Sequence, residues 1–438
     1  MEGVRPSSQP SGTGTFAACL RERRLAAGLS LRELSAEVHY SKGELSKIEN
    51  GIRRPTTEFA RRCDVVLGAR GELAALVPAT AALSQNRAAA GDVQGASPFA
   101  GPEEFESWFR DWSAAAAMSA PLAPVILPPA TDLVTLEATF HRVRDFGRAV
   151  SPRSVLPLAV GLLHAIRSEL AGSGDRGGLL RMGARVAMFT GWMAQEAGQD
   201  QAAIRWSDLA AGLAEADGET SFVHYARVRK ALIELYRSQA GHAVELAVAT
   251  RSGTGVDPRV RKLAAQREAQ GYALAGDERA CLTVLETASS FGTSAAGGDD
   301  ERWFGSAAVP DMTELVTGWC LYDLGRPAEA DARLDAGLRR VPEEAHRARA
   351  RFGVRQALAQ VSGGDLDRAC GTMTRLLPGL LRTDSATIRT DVGAFSRQLG
   401  RWRGHPAVRE LQPAITAILL GSPVTPPIPV SSSGERAG

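Results

Sequence analysis

Apolar residues recur at three- and four-residue spacing along most of the chain, which is the period of an amphipathic α-helix. In residues 29–55, Leu34 and Val38 form part of one apolar face, and Leu45 and Ile48 form part of the next. From about residue 132 the same spacing continues, interrupted by glycines, and no convincing β-alternation is present. The pattern therefore predicts an all-α protein.

Two helix starts are marked within residues 29–55. Ser30 with Glu33, and Ser41 with Glu44, have the form of a capping box, in which each side chain satisfies a backbone N–H group of the other. Asn50-Gly51 follows the second helix and is suited to the left-handed geometry that ends helices. These signals predict two short helices joined by a tight turn.

The segment LSLRELSAEVHYSKGELSKIENGIRRP resembles the helix-turn-helix of the phage repressor and Cro family, also called the XRE family. The motifs GLSLRELS, SKIENG and RRP stand at that family's spacings, and the resemblance implies a five-helix DNA-binding domain from about Phe16 to Leu76. In that family the N-terminal half of the second helix reads base edges in the major groove. The resemblance implies four base-reading positions, which are Lys42, Gly43, Ser46 and Lys47.

Helix N-termini carry free N–H groups and partial positive charge, which favours phosphate binding. The resemblance also pairs Arg24 with Glu49 as a largely buried structural ion pair. His39 stands where the family usually has glycine in the turn, at some cost to stability. The predicted phosphate-binding residues are Ser30, Leu31, Arg32, Ser41, Arg53 and Arg54.

The charge distribution also favours the N-terminal segment as the DNA-binding part. The net charge is only +2, but residues 1–78 hold twelve Arg or Lys against nine Asp or Glu, which gives +3. Lysine is scarce, because only Lys42, Lys47, Lys230 and Lys262 occur, and two of the four fall on one short helix. The alternative is that these cations form an ordinary solvated face and that the helix-turn-helix contacts protein.

The larger C-terminal part contains a repeated pattern of small residues. Four breaks align on Gly198, Gly276, Gly325 and Gly364, and a further hairpin is expected near Gly241. Small residues stand seven positions before and five positions after each aligned glycine, as two closely crossing helices require. They are Gly191, Ala269, Gly318, Ala357, Ala203, Cys281, Ala330 and Ala369.

This arrangement resembles the tetratricopeptide repeat, most clearly in residues 311–344. The resemblance implies a superhelix with a curved surface that binds a peptide or protein segment. The alternative is a helical bundle without repeats, since small residues are common throughout the chain. Arg185, Arg227 and Tyr272 are candidates for the curved surface, but sequence does not distinguish them from solvated side chains.

The expected organisation is a disordered tail at 1–14, a Cro/repressor-type domain at 15–80, a linker with one short helix at 81–131, the tetratricopeptide-like domain at 132–422, and a disordered tail at 423–438. Residues 112–131 lack charge, but their prolines argue against a membrane span. Five dispersed cysteines indicate a reducing, cytoplasmic setting and neither a metal site nor a cofactor. Composition is typical of GC-rich, actinomycete-like genomes.

The fold class expected is therefore all-α, with a five-helix repressor-type DNA-binding domain followed by a tetratricopeptide-like superhelix. The functional hypothesis is a transcription regulator that binds operator half-sites on double-stranded DNA as a homodimer and senses a peptide or protein partner. No catalytic motif supports an enzyme. The alternative function is a repeat-based scaffold for protein interactions.

Overall fold

A computed structural model of the chain describes residues 16–38, 40, 42–50, 55, 57–69, 71–77, 132–170, 175–291, 309 and 311–420. Across these ranges the regular structure is helical, with nineteen α-helices and no strand, which confirms the expected all-α class. Several predictions lie outside the described residues. They concern the two tails, the linker with its short helix, His39, Ser41, Gly51, Arg53 and Arg54.

Five helices form the N-terminal domain around one apolar core. Phe59 is fully buried at its centre, and the core is completed by leucines from the other four helices. The helices are α1 (Phe16–Ala26), α2 (Leu31–Glu37), α3 (Lys42–Glu49), α4 (Thr57–Leu67) and α5 (Glu72–Ala75). Their fully buried leucines are Leu20, Leu34, Leu45 and Leu73.

The second part of the chain is a series of antiparallel helix pairs that pack side by side. The helices are α6 (Leu133–Ala149), α7 (Pro152–Leu170), α8 (Arg176–Glu196), α9 (Asp200–Ala216), α10 (Thr220–Tyr236), α11 (Ala240–Arg251), α12 (Pro258–Ala275), α13 (Glu278–Ser290), α14 (Thr313–Asp323), α15 (Pro327–Leu338), α16 (His346–Ser362), α17 (Leu366–Thr383), α18 (Ala386–Leu399) and α19 (Pro406–Leu420).

Each of the four aligned glycines occupies the turn of a helix pair, and these pairs are α8–α9, α12–α13, α14–α15 and α16–α17. Gly198, Gly276, Gly325 and Gly364 have φ of +83°, +83°, +80° and +90°, a region in which a side chain is strained. The pair expected near Gly241 is α10 with α11, and its turn residue with positive φ is Ser238. The long gap between Gly198 and Gly276 thus contains one additional pair.

Small residues let the two helices of a pair cross closely. At Gly318 of α14, an added Cβ would lie 2.6 Å from Cγ of Leu334 and 3.0 Å from the carbonyl oxygen of Ala330, both on α15. At Gly191 of α8, it would lie 3.2 Å from the carbonyl oxygen of Ala203 on α9. Because only a small residue fits at such distances, the spacing read from the sequence has a direct steric basis.

The first helices of the pairs, α8, α10, α12, α14, α16 and α18, lie next to one another along the inner side of the series. The two ends of the series meet on this side. Arg351 donates to Glu196 at 2.9 Å, Thr387 donates to the same carboxylate at 3.1 Å, and Arg347 donates to the Val150 carbonyl at 2.8 Å. We call these five residues the seam, because they close the series on itself.

None of the described helices is long and apolar enough to cross a bilayer. Within the same ranges no three His, Cys, Asp or Glu side chains are grouped so as to hold a metal ion. The five cysteines are free thiols, and four of them are buried. Burial raises the pKa of the Cys370 thiol, and a buried thiol of raised pKa is a poor nucleophile.

Candidate nucleic-acid interface

The start of α2 is a complete capping box. The Glu33 backbone N–H donates to the Ser30 hydroxyl at 3.2 Å, and the Ser30 backbone N–H donates to the Glu33 carboxylate at 2.8 Å. This last hydrogen bond lowers the pKa of Glu33. Ser30 and Arg32 are exposed and Leu31 is partly buried. The N-terminal end of α2, with its first backbone N–H groups, therefore lies at a surface that an anion can approach.

The orientation of α3 is fixed by its apolar side. Leu45 is fully buried and Ile48 is 3% exposed, both within the N-terminal core. Lys42 and Lys47 are exposed and Ser46 is partly exposed. At about 100° per residue, positions 42, 43, 46 and 47 span an arc of about 140° whose centre lies opposite the buried side. Gly43 is on the helix, and the surroundings of its backbone are not described.

Arg24 and Glu49 form a two-pronged ion pair beneath α3. Arg24 Nε lies 2.6 Å from Glu49 Oε1, its Nη2 lies 3.0 Å from Oε2, and its Nη1 donates to the Leu29 carbonyl at 2.8 Å. The hydrogen bond to Glu49 raises the pKa of Arg24. Because Glu49 is the last residue of α3, the pair fixes that end of the helix against α1.

Two charged residues of α4 hold the domain together and were not identified from the sequence. Arg62 is buried and donates to the Val38 carbonyl at the end of α2, at 3.2 Å. Asp64 accepts from the backbone N–H groups of Leu73 and Ala74, both at 2.9 Å. Burial raises the pKa of Asp64. The only sequence signal was that both stand beside the apolar face of α4.

The N-terminal domain contacts the helix pairs through α4 and the turn before α3. Arg61 Nη1 lies 3.7 Å from Asp323 Oδ1 at the end of α14, and Arg61 also donates to the Leu274 carbonyl in α12. The Arg401 guanidinium lies 4.3 Å from the centre of the Tyr40 ring. We call this set the docking contact. It joins three places in the repeat-like region, at the ends of α12, α14 and α18, to the N-terminal domain.

The docking contact leaves the predicted base readers accessible. Lys42 and Lys47 are exposed with the helix pairs in place, on the side of α3 that faces away from the N-terminal core. The structure thus brings together Ser46 and both lysines on one face. Of the other predicted residues, Ser41, Arg53 and Arg54 lie outside the described residues, so their positions relative to this face stay predictions.

Comparison with protein families assigns this domain to a known type. A family model described as a helix-turn-helix domain matches residues 15–77, which covers the five N-terminal helices. Neither a search of curated proteins nor a search of solved structures finds a match. The chain therefore contains an N-terminal helix-turn-helix domain followed by a helical, repeat-like region.

Proposed function

We propose that this protein is a sequence-specific transcription regulator of the XRE type, whose tetratricopeptide-like region senses a partner and supports dimerisation. The single observation that carries the proposal is the exposed cationic face of α3, which a buried apolar side and the Arg24–Glu49 pair hold in a fixed orientation. A helix presented in this way fits the major groove with its N-terminal half against the bases. Lysine donates to guanine O6 and N7.

Dimerisation is proposed from the size of the reading surface. One helix with four base-reading positions contacts few base pairs, so useful discrimination from competing sites requires two copies on two half-sites. The helix pairs present the larger surface for such a contact. Two lysine-bearing helices would then reach half-sites about 34 Å apart, which is one turn of DNA.

The docking contact supports a link between the two regions. Asp323 uses one carboxylate oxygen towards Arg61 and accepts from the Trp319 indole with the other, at 2.9 Å. The Arg355 guanidinium stacks on the Trp319 ring, 3.2 Å from its centre. A shift of α16 against α14 would therefore change the support of α4, and with it the position of the DNA-binding domain.

Selection of binding sites from random duplex DNA tests the proposed function. The full-length protein should enrich an inverted repeat with half-sites about one helical turn apart. Enrichment of a single half-site would contradict dimerisation but keep DNA binding. Recovery of DNA without any shared sequence, or no recovery at all, would favour the scaffold function, in which the helix-turn-helix contacts protein.

Asp323→Asn tests the link through the docking contact. Asparagine keeps an acceptor for Trp319 but removes the charge that faces the mostly buried Arg61, so docking should weaken by about 1–3 kcal/mol because Arg61 loses its countercharge. Hydrogen exchange should speed up in α4 and at residues 322–326. Arg333→Ala, which removes a more exposed ion pair between Arg333 of α15 and Glu314 of α14, is the control and should leave both segments unchanged. Equal protection in the two variants would show that the docking contact contributes nothing.

A further inference from the structure

A cavity of about 240 Å³ lies on the inner side of the helix pairs, beside the seam. It is lined by the first helices of several pairs. One wall is apolar and aromatic, with Phe189, Trp192 and Phe222 among its residues. The remaining lining is strongly basic, because it contains six arginines and only two glutamates, Glu196 and Glu344. The cavity therefore combines a large positive charge with an apolar surface, and we call it the arginine cavity.

The arginines of the cavity are unequally neutralised. Glu196 is in contact with Arg351 at 2.9 Å and with Arg347 at 3.5 Å, so its charge is shared by two seam residues. Although burial opposes it, these two arginines hold the pKa of Glu196 below its ordinary value. Glu196 thus makes its close ionic contacts with these two arginines, and it acts on Arg229 only as a more distant charge.

Arg229 and Arg267, on α10 and α12, have only neutral hydrogen-bond partners among the described residues. Arg229 donates to the Gln195 side-chain oxygen at 2.8 Å, and Arg267 donates to the Gln270 side-chain oxygen. Arg267 is only 7% exposed, and its Nε has no hydrogen-bond partner within the described part of the chain. A buried guanidinium without a carboxylate is costly, so its retention calls for an anionic partner from outside.

The pKa of Arg267 reflects the same excess of positive charge in the cavity. Burial lowers its pKa to about 10, and the neighbouring charges of Arg229 and Arg351 act in the same direction. Burial likewise lowers the pKa of Arg229. Three guanidinium groups therefore repel one another in a confined space, and a bound anion would relieve that repulsion for all three at once.

We propose that the arginine cavity binds a small organic anion, with its carboxylate or phosphate between Arg229, Arg267 and Arg351 and its apolar body against Trp192 and Phe222. Guanidinium groups bind both kinds of oxyanion in a two-pronged manner, and the aromatic wall selects a flat apolar group. This inference rests on the sensing part of the proposed function. It does not depend on DNA binding.

Thermal unfolding and calorimetric titration of the full-length protein without DNA test the proposal. The probes are phenylacetate, phenyl phosphate, inorganic phosphate and the neutral phenylacetamide, all at equal ionic strength. Phenylacetate or phenyl phosphate should raise the melting temperature and bind, and the better of the two identifies the oxyanion. Phenylacetamide should do neither. Stabilisation by phenylacetamide equal to that by phenylacetate would overturn the proposal, as would no response to any anion.

Arg267→Met separates a binding role from a structural one. It should weaken binding of the effective anion about tenfold or more, while the protein without ligand melts no lower than the unmodified protein, because an unpaired buried charge has been removed. Arg279→Met, at an exposed position of α13, is the matched control and should change neither value. Unchanged anion binding in Arg267→Met, or a lower melting temperature without ligand, would contradict the proposal.

The results with inorganic phosphate and with DNA test two further points separately from the experiments above. If inorganic phosphate binds as tightly as phenyl phosphate, the aromatic wall takes no part and the apolar half of the proposal is wrong. If no anion binds but an operator is still selected from random DNA, the cavity proposal fails and the DNA-binding function stands.

Discussion

Replacing both Lys42 and Lys47 by alanine should remove the preference of the protein for its operator. Both side chains are exposed on α3, on the side opposite the buried Leu45 and Ile48. Each well-formed base contact contributes about 1–3 kcal/mol of discrimination, and separate contacts add approximately. The two lysines together should therefore account for at least about 30-fold in the ratio of operator to random-DNA affinity. Competition binding at fixed salt measures this ratio.

Two comparison variants make the lysine result specific. Arg53→Ala with Arg54→Ala should weaken binding to all DNA and lower the salt dependence by about two counterions, because these residues are predicted to contact phosphates. Arg340→Ala with Arg382→Ala removes the same charge from exposed positions on the helix pairs and should leave the ratio unchanged. If the lysine variant keeps full selectivity, other residues read the bases.

The second large effect is expected at the ion pair beneath α3. Glu49→Gln should destabilise the N-terminal domain by about 3–5 kcal/mol, because it leaves the Arg24 guanidinium buried without a countercharge. Such a loss is a large fraction of the stability of a typical domain. Hydrogen exchange of the Leu34 and Leu45 amides, which lie in this core, should become much faster, and operator binding should fall with it.

Removing both charges separates the effect of the pair from the effect of an unpaired ion. Arg24→Met combined with Glu49→Leu should recover much of the lost stability, since an apolar pair of similar volume replaces the buried ions. Arg23→Ala breaks an exposed ion pair with Glu72 and should leave the exchange rates almost unchanged. The interpretation fails if Glu49→Gln is no more destabilising than Arg23→Ala.

Local features of the fold were readable in the sequence because their physical causes are local. The capping box needs only Ser30 and Glu33, and both of its hydrogen bonds are present. The turns need residues that tolerate positive φ, and Gly198 and Gly325 supply them. The close crossings need small side chains at fixed distances from those turns, such as Gly318.

Features that depend on distant residues were not readable in the same way. The seam joins Glu196 to Arg351, and the docking contact joins Arg61 to Asp323, with no periodicity to mark either pair. A regular spacing of arginines was also missed, because one of the turns was not aligned with the others. With Ser238 as a turn residue, an arginine stands nine positions before three of the turns, namely Arg229, Arg267 and Arg355. Aligning on glycine alone left Arg229 out of the series.

The seam joins the two ends of the series of helix pairs, and this closure also limits how the architecture can evolve. Open arrays of helix pairs gain or lose units freely, because each unit touches only its neighbours. Here Arg347 of α16 donates to the Val150 carbonyl, which lies between α6 and α7 at the start of the series, so duplication of one pair would pull these groups apart. Descendants of this protein should therefore vary in loop length and surface residues while conserving the number of helix pairs.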